Sequence, residues 1–448
     1  MGKVLIVSVG GSCEPIVTAI KKIQPDRVVF LCSGGESASS SISQVIGEGT
    51  PCELRKGTEV IKKEPNILVQ TNFNKRFNKD TDLIIVEDPD EINDCYKKIE
   101  EKIIQIKDEN PDYNIIADYT GGTKTMSAAL AMAALDYNIS ALYVTTSKRR
   151  DLIRVESGQF PRRVMTSIMH HKRRLKQIFP KMLKKFNYPA AIEEIETVLM
   201  ECELSNKENK TIKENLDYVK GLDAWDCFDH IEALKLLEPM MGKDDETKSL
   251  VMFLKRVIAS RKIIDEDFRT ENVKSIKGHG YEVVEDLLLN AERRACQKRF
   301  DDAVGRIYRA LELMAQIRLK IKFDLLTGDI DINNLNLKNL AEELKANLEK
   351  KRNDNGRIQI ALRDSFNLLN DLGDEIGVKF KKTESHIIDT LKIRNNSLFA
   401  HGFRSITESD YKRIKDNIVS FIEDGIKQLA GNQYRKPNQF PETLNLEI

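Results

Sequence analysis

A chain of 448 residues is too long for a single hydrophobic core of ordinary size, so we expect two or three domains. Its composition, 41% hydrophobic and 31% charged with a net charge of +1, is typical of globular proteins and provides no global field that would attract a polyanion. No apolar run reaches the roughly 18 residues of a membrane helix, and the sequence enters a strand pattern at once. We therefore expect a cytoplasmic protein with no membrane partner.

The chain shows no metal-binding pattern. The seven cysteines lack CxxC pairing, which predicts reduced, mostly buried thiols and no zinc site. No group of Asp and Glu residues has the spacing of a metal site. We therefore expect neither a metal ion nor another cofactor.

Residues 1–160 alternate apolar strand patterns with helix patterns. The strand candidates are 3–9, 27–32, 83–86, 114–118 and 140–146. This alternation predicts an α/β Rossmann-like domain with a parallel, doubly wound sheet. Residues 52–81 fit the alternation poorly, and within them 66–71 is predicted as an added strand.

Two polar, glycine-containing loops follow predicted strands: 10–12 (GGS) and 118–125 (DYTGGTKT). In doubly wound sheets, ligands bind beyond the carboxyl ends of the strands, near the point where strand order reverses. The second loop leads into a helix, so backbone N–H groups, hydroxyls and Lys124 could converge on an anion. Neither loop is a Walker A or a GxGxxG motif. The alternative is that both loops are only tight turns and helix caps.

From about residue 160 the pattern is helical. We expect a helical spacer over 161–280, a helical bundle over 281–430 and a polar tail over 431–448. The fold class is therefore an α/β domain followed by an all-α region.

The segment 394–402 (RNNSLFAHG) carries the residues best suited to catalysis. The apolar pattern of 387–393 predicts a helix that continues through Leu398 and Phe399 and stops at Gly402. Arg394 and His401 are seven positions apart, which places them on nearly the same helix face. A permanent cation beside a group that titrates near neutral pH suits a phosphodiester. The alternative is a helix end with a solvated Arg and a dipole-matched His.

The run DYTGGTKTMSAALAMAALDYNISALYV, from Asp118 onwards, resembles the ligand loop of CARF domains, the Rossmann-like sensors of type III CRISPR systems. The GGS loop also fits this family, which binds cyclic oligoadenylates across a two-fold dimer interface. The ligand-binding residues that the resemblance implies are Ser12, Thr120, Gly121, Gly122, Thr123 and Lys124, together with Gly10, Gly11 and Ser33.

The run RNNSLFAH resembles the signature of HEPN ribonucleases, and FDDAVGRIYRALELMAQIRL is similar to a CARF-containing CRISPR ancillary nuclease family. By position in the motif, the resemblance implies Arg394, Asn395 and His401 as catalytic residues.

The two resemblances together imply a homodimeric, metal-independent endonuclease of CRISPR antiviral defence. Its activator would be a cyclic oligoadenylate, its substrate single-stranded RNA, and its products would carry 2′,3′-cyclic phosphates, because RNA supplies its own 2′-OH nucleophile. One alternative is a non-catalytic sensor that controls nucleic-acid binding. The other is a ring nuclease that cleaves the cyclic oligoadenylate in the sensor domain, with Lys124 as its only obvious cation.

Overall fold

The structure is a computed structural model. It describes residues 2–34, 40–56, 59–146, 149–150, 154–155, 160–164, 166–202, 204–265, 267–268, 270, 274–338, 340–398, 400 and 402–444. The chain divides into two compact units, Met1–Lys176 with Thr197–Ser205, and Gln177–Glu196 with Asn206–Ile448. Within the described residues, no helix has the length and apolar character needed to cross a membrane.

The first unit is an α/β domain. Its strands are β1 (Lys3–Ser8), β2 (Arg27–Ser33), β3 (Cys52–Lys56), β4 (Glu59–Glu64), β5 (Leu83–Val86), β6 (Asn114–Asp118), β7 (Ala141–Thr146), β8 (Arg149–Arg150), β9 (Arg154–Val155) and β10 (Phe160–Val164). Its helices are α1 (Glu14–Ile23), α2 (Ile42–Ile46), α3 (Ile67–Thr71), α4 (Ile92–Glu109), α5 (Lys124–Asp136) and α6 (Thr166–Gln177).

The main sheet has six strands in the order β10-β7-β6-β1-β2-β5. From β1 the chain builds outward through β2 and β5, and then returns to add β6 and β7 on the other side of β1. Strand order therefore reverses between β1 and β6, where Val7 pairs in parallel with Asp118. The loops that leave these two strands start at one edge of the sheet, on either side of this switch point.

The central strands have continuous apolar interiors, as expected for a sheet that is covered on both faces. Helices α4 and α5 pack on one face around Ile103 and Leu130. Helices α1, α2 and α3 pack on the other around Ile16, Val45 and Ile67. The predicted doubly wound α/β fold is confirmed.

Two local predictions are wrong. Strand β10 pairs antiparallel with β7, so the helical region begins later than expected and the sheet is not wholly parallel. The predicted strand over 66–71 is helix α3, because the Asn66 side chain accepts a hydrogen bond from the Val69 backbone and caps the helix. The poorly fitting segment before it forms the hairpin of β3 and β4.

The expectation of reduced thiols is wrong for Cys13 and Cys52, which form a disulfide. Cys13 follows β1 and Cys52 begins β3, and the fold brings their Cα atoms to 5.8 Å across 39 positions of sequence. Such a pairing has no local sequence signature, because it depends on where the β3–β4 hairpin lies. Of the other cysteines, Cys32 and Cys95 are buried, whereas Cys227 and Cys296 are exposed.

The second unit is helical. Its helices are α7 (Phe179–Lys184), α8 (Tyr188–Glu201), α9 (Asn206–Asp226), α10 (His230–Leu237), α11 (Asp245–Arg261), α12 (Glu282–Cys296), α13 (Phe300–Phe323), α14 (Glu342–Glu349), α15 (Leu362–Asp371), α16 (Glu375–Asn395), α17 (Glu408–Ile414) and α18 (Ser420–Ala430). Residues Thr197–Glu201 of α8 belong to the first unit. A π-helical segment, Lys415–Val419, joins α17 to α18.

Aromatic packing holds the C-terminal helices together. Phe366 of α15 and Phe380 of α16 stack with ring centroids 4.2 Å apart, and Phe421 of α18 meets both rings edge-on. All three are buried. This contact anchors the first half of α16, the helix that ends at Arg394 and Asn395.

The segment that follows α18 was expected to be a polar tail, but it packs into the helical unit. Phe440 is 3% exposed and lies edge-on to Trp225, which is fully buried. The buried guanidinium of Arg293 lies 3.8 Å from the Phe440 ring centre and donates a 2.7 Å hydrogen bond to Asp226. The charge of Arg293 is thus paired inside the unit, as a buried charge must be.

Reduction of the Cys13–Cys52 bond should destabilise the first unit. The bond spans 39 positions, and the chain-entropy cost of closing such a loop is about 4 kcal/mol. Thermal unfolding of the wild type should occur at lower temperature with a reductant, while a Cys13→Ser/Cys52→Ser double variant should not respond to it. The bond would be contradicted if the reductant also left the unfolding temperature of the wild type unchanged, and if all seven thiols were reactive after denaturation alone.

Candidate ligand-binding and catalytic sites

The loops after β1 and β6 pack directly against each other at the switch point. The Ser8 hydroxyl donates a 2.7 Å hydrogen bond to the Gly121 carbonyl. A Cβ atom on Gly10 would lie 2.5 Å from the Gly122 nitrogen, and one on Gly121 would lie 2.3 Å from the Ser8 carbonyl oxygen. No side chain fits at such distances, so these two glycines are what lets the predicted ligand loops meet.

The hydroxyls of Thr120 and Thr123 are engaged in holding the second loop. Thr120 Oγ1 donates to the Asp118 carboxylate and accepts from the Thr145 backbone N–H at 2.6 Å. Thr123 Oγ1 donates to the Pro89 carbonyl at 2.6 Å and accepts from the Met126 N–H, which caps α5. Their side chains therefore shape the loop, and a ligand would meet chiefly other groups.

Asp118, which was not among the predicted site residues, organises this loop. Its side chain is buried and accepts hydrogen bonds from the Thr120 backbone N–H at 2.8 Å and from the Thr145 hydroxyl at 3.1 Å. Burial raises the pKa of Asp118 above its usual value. The only sequence signal was its position as the last residue of a buried strand, where a carboxylate needs partners from the loop that follows.

The groups that face solvent at the switch point are Gly11, Ser12 and Lys124. Lys124 is the first residue of α5, where backbone N–H groups are not used within the helix. Its ammonium has no ion-pair partner in the part of the chain that the structure describes. An anion at this edge would meet a free cation, a hydroxyl and backbone donors together.

Ser33 ends β2, the strand beside β1. Its backbone N–H donates to Ser41 Oγ at 3.0 Å, and its hydroxyl lies 3.2 Å from the same oxygen. Residues 35–39, between these two serines, lie outside the described residues. Ser33 therefore lies at the same sheet edge as the two glycine loops, on the neighbouring strand.

Arg394 lies in the last turn of α16 with its guanidinium carbon 4.2 Å from the ring centre of Tyr308 on α13. Its Nε atom is buried and has no hydrogen-bond partner among the described residues. Its remaining described side-chain contact is a long one, 3.4 Å from Nη1 to the Asn395 side-chain oxygen. By contrast, Arg306 and Arg309 on α13 pair with Asp302 and Glu312. The charge of Arg394 is thus held by an aromatic ring and is not neutralised by a described carboxylate.

The predicted continuation of this helix through Leu398 and Phe399 is wrong. Helix α16 ends at Asn395, and the chain then turns back, with the Gly402 N–H donating to Ser397 O at 3.2 Å and the Arg404 N–H donating to Asn396 O at 3.2 Å. A Cβ on Gly402 would lie 2.1 Å from Asn396 O, so glycine permits the return. Because α16 ends at Asn395, the prediction that Arg394 and His401 lie on one face of a continuous helix is wrong.

The turn brings Gly402 back to the end of α16. Gly402 lies against Asn396, and Arg394 lies two residues before Asn396. Asn395 is exposed. His401 and Phe399 lie outside the described residues. Among the residues that are described, no group of three or more His, Cys, Asp or Glu could hold a metal ion.

Replacement of Gly121 by Ala should destabilise the first unit, because the new Cβ would lie 2.3 Å from the Ser8 carbonyl oxygen. Overpacking of this kind costs about 1–3 kcal/mol. Gly11→Ala is the matched control, because its Cβ would meet nothing within 4 Å. Thermal or denaturant unfolding should show the loss for Gly121→Ala alone, and equal stability of the two variants would disprove the tight loop contact.

Comparisons with known proteins agree with this architecture. The family model described as the Csm6 HEPN domain matches residues 272–424, which include the 394–402 segment. No curated protein sequence matches the chain significantly.

Among solved structures, the fold is similar to that of Enterococcus italicus Csm6 bound to cyclic hexa-2′-fluoro-hexa-dAMP. The TM-score is 0.53 at 12% sequence identity, over 96% of this chain and 94% of that one. At this identity the likeness concerns the fold, and it extends over both units. The resemblance to the CARF–HEPN ribonucleases of type III CRISPR systems is therefore confirmed, with residues 272–424 as the HEPN part.

Proposed function

We propose that this protein is a cytoplasmic, metal-independent RNA endonuclease of CRISPR antiviral defence that a cyclic oligoadenylate activates. The observation that carries the proposal is Arg394. It lies inside the region that matches the Csm6 HEPN domain, and its guanidinium has a buried Nε without a described hydrogen-bond partner. A cation kept free of carboxylates can bind a phosphate.

The chemistry needs only groups that this motif and the substrate provide. In single-stranded RNA the 2′-OH attacks the adjacent phosphorus, the 5′-oxygen leaves, and a 2′,3′-cyclic phosphate remains. Arg394 would neutralise the charge that develops on the phosphate oxygens, and its contact with Tyr308 would hold the guanidinium in place. His401 would transfer a proton to or from the reacting oxygens. The exposed Asn395 would orient the phosphate or the imidazole.

The active form is proposed to be a homodimer, as in the families that the chain resembles. Arg394 and His401 of two copies would then line one composite cleft. This arrangement suits residues at a helix end and its following turn, since such positions can face a second copy across a two-fold axis.

The proposed activator site is the loop cluster at the switch point. E. italicus Csm6 is bound to a cyclic oligoadenylate analogue in the similar structure. In this chain, Lys124, Ser12 and backbone N–H groups of the Gly10–Ser12 loop and of α5 would bind its phosphates. Gly121, Gly122, Thr120 and Thr123 would shape the loop, with Ser33 at the edge of the site.

Cleavage of single-stranded RNA in excess EDTA, with and without cyclic oligoadenylates of several ring sizes, tests this function. We expect cleavage only with an activator, and products with 2′,3′-cyclic phosphate ends. Ligand binding without RNA cleavage would make the protein a non-catalytic sensor. Destruction of the ring without RNA cleavage would make it a ring nuclease, and activity that requires magnesium or manganese would assign it to another mechanistic class.

His401→Ala and Arg394→Ala should each lower RNA cleavage by about 100-fold or more, the usual contribution of a positioned acid or base. Arg394→Lys should not restore the rate, because an ammonium cannot donate two parallel hydrogen bonds to a phosphate. Rates are measured at saturating activator, with folding checked by circular dichroism.

The matched control is Arg309→Ala, which removes an exposed arginine of α13 that is paired with Glu312 one turn further along the same helix. It should cleave within about twofold of the wild type, since exposed ion pairs contribute little. Near-normal cleavage by His401→Ala would refute the catalytic assignment.

Lys124→Ala should shift the activation curve to higher cyclic oligoadenylate concentration by tenfold or more, because a charge-assisted phosphate contact contributes about 1.5–3 kcal/mol. At saturating activator the rate should recover, since an effector acts only through its differential affinity for two states. The control variant is Lys21→Ala. Lys21 is exposed and lies in the last turn of α1, at the helix end remote from the Gly10–Ser12 loop. Superimposable curves for Lys124→Ala and the wild type would reject the loop cluster as the activator site.

A further inference from the structure

A large aromatic side chain projects into solvent beside the proposed catalytic motif. Phe403 is 93% exposed, the highest value among the large hydrophobic residues that the structure describes. Leu398, in the same turn, is 60% exposed. Single exposed hydrophobics are common on protein surfaces, but an almost fully exposed aromatic ring two positions from a proposed catalytic residue needs a partner.

The backbone around Phe403 is fixed. The N–H of Gly402, on one side, donates to Ser397 O, and the N–H of Arg404, on the other side, donates to Asn396 O, each at 3.2 Å. Residues Ser397 and Arg404 also form an isolated β-bridge. Phe403 is therefore held opposite Asn396, and the Phe403 ring extends from the same turn that follows Arg394. A nucleotide whose phosphate contacts Arg394 would therefore lie beside the turn that carries this ring.

The surroundings of Phe403 favour a nucleic-acid base over a second copy of the chain. Apart from Leu398, the exposed residues near Phe403 in the turn and at the end of α16 are polar or charged: Lys392, Asn395, Asn396, Arg404 and Ser405. Cores of protein–protein interfaces are depleted in charged residues. Sites for single-stranded nucleic acid combine cations for the backbone with aromatic rings on which bases stack, as this turn does.

We propose that Phe403 is a stacking platform for a nucleobase of single-stranded RNA that flanks the phosphate bound by Arg394. This inference rests on the proposed ribonuclease function and adds to it a binding residue. Because every base has a π-face, stacking of this kind orients the strand with little sequence preference. Phe403 would thus fix the position of the scissile phosphate relative to Arg394 without taking part in proton transfer.

The test measures kcat and KM for RNA cleavage, and binding of an RNA that carries 2′-O-methyl groups and cannot be cleaved. Loss of a base stack costs roughly 1–3 kcal/mol, so Phe403→Ala should weaken binding and raise KM by about tenfold, with a smaller change in kcat. Phe403→Trp should retain the wild-type values, whereas Phe403→Leu, which keeps apolar area but loses the flat ring, should not. Leu335→Ala, which truncates another strongly exposed side chain (71%), is the control and should change neither quantity.

A second arm tests the base directly. An RNA with one abasic position beside the cleavage site should bind wild type about tenfold less tightly, but should lose nothing further with Phe403→Ala, because both changes remove the same contact. Equal losses in both proteins would overturn the proposal.

If the Phe403→Ala variant binds RNA normally but sediments as a monomer where the wild type is a dimer, the ring belongs to a protein interface. This result would also overturn the proposal. Binding of the methylated RNA does not require cleavage. A wild type that binds this RNA through Phe403 but cuts no RNA would therefore reject the proposed function and keep the platform.

Discussion

The close approach of two backbones at the switch point of the sheet is the constraint on which the α/β domain depends. Gly10 and Gly121 let the loops after β1 and β6 meet, and Ser8 joins them with a hydrogen bond. The Asp118 carboxylate then holds the second loop in place, because it accepts hydrogen bonds from the Thr120 N–H and the Thr145 hydroxyl. Because these internal bonds use the threonine hydroxyls, the groups left for an anion are Lys124, Ser12 and backbone donors.

The helical unit holds two of its arginines in different surroundings. Arg293 is buried and paired with Asp226, as the energetics of buried charge require. Arg394 is held instead by the face of Tyr308, and its Nε has no described partner. The charge of Arg293 is therefore paired, whereas no described carboxylate neutralises that of Arg394. Phe403 lies on the turn that follows α16, with its ring almost fully exposed.

Much of the α/β fold could be predicted from the sequence, because strands buried on both faces are continuous apolar runs. The positions of the two switch-point loops could also be predicted, since polar, glycine-containing segments at strand ends are visible in the local sequence. The Cys13–Cys52 bond depends on a contact distant in sequence, because the position of the β3–β4 hairpin brings the two cysteines together. After the end of α16 the chain forms a local turn, in which Ser397 forms a β-bridge with Arg404. Helical periodicity continued past Asn395 in the sequence, but the chain turned there.

In the function that we propose, a ligand at the switch-point loops controls the turn that follows Arg394. Hydrogen–deuterium exchange of the full chain, with and without a series of cyclic oligoadenylates, tests it most directly. With the activating ring, amides of 9–13 and 119–125 should become protected, and amides of 394–404 should change their exchange rate in the same titration. If exchange in 9–13 and 119–125 stayed unchanged at saturating ligand while other segments became protected, the ligand would bind elsewhere, contrary to this proposal.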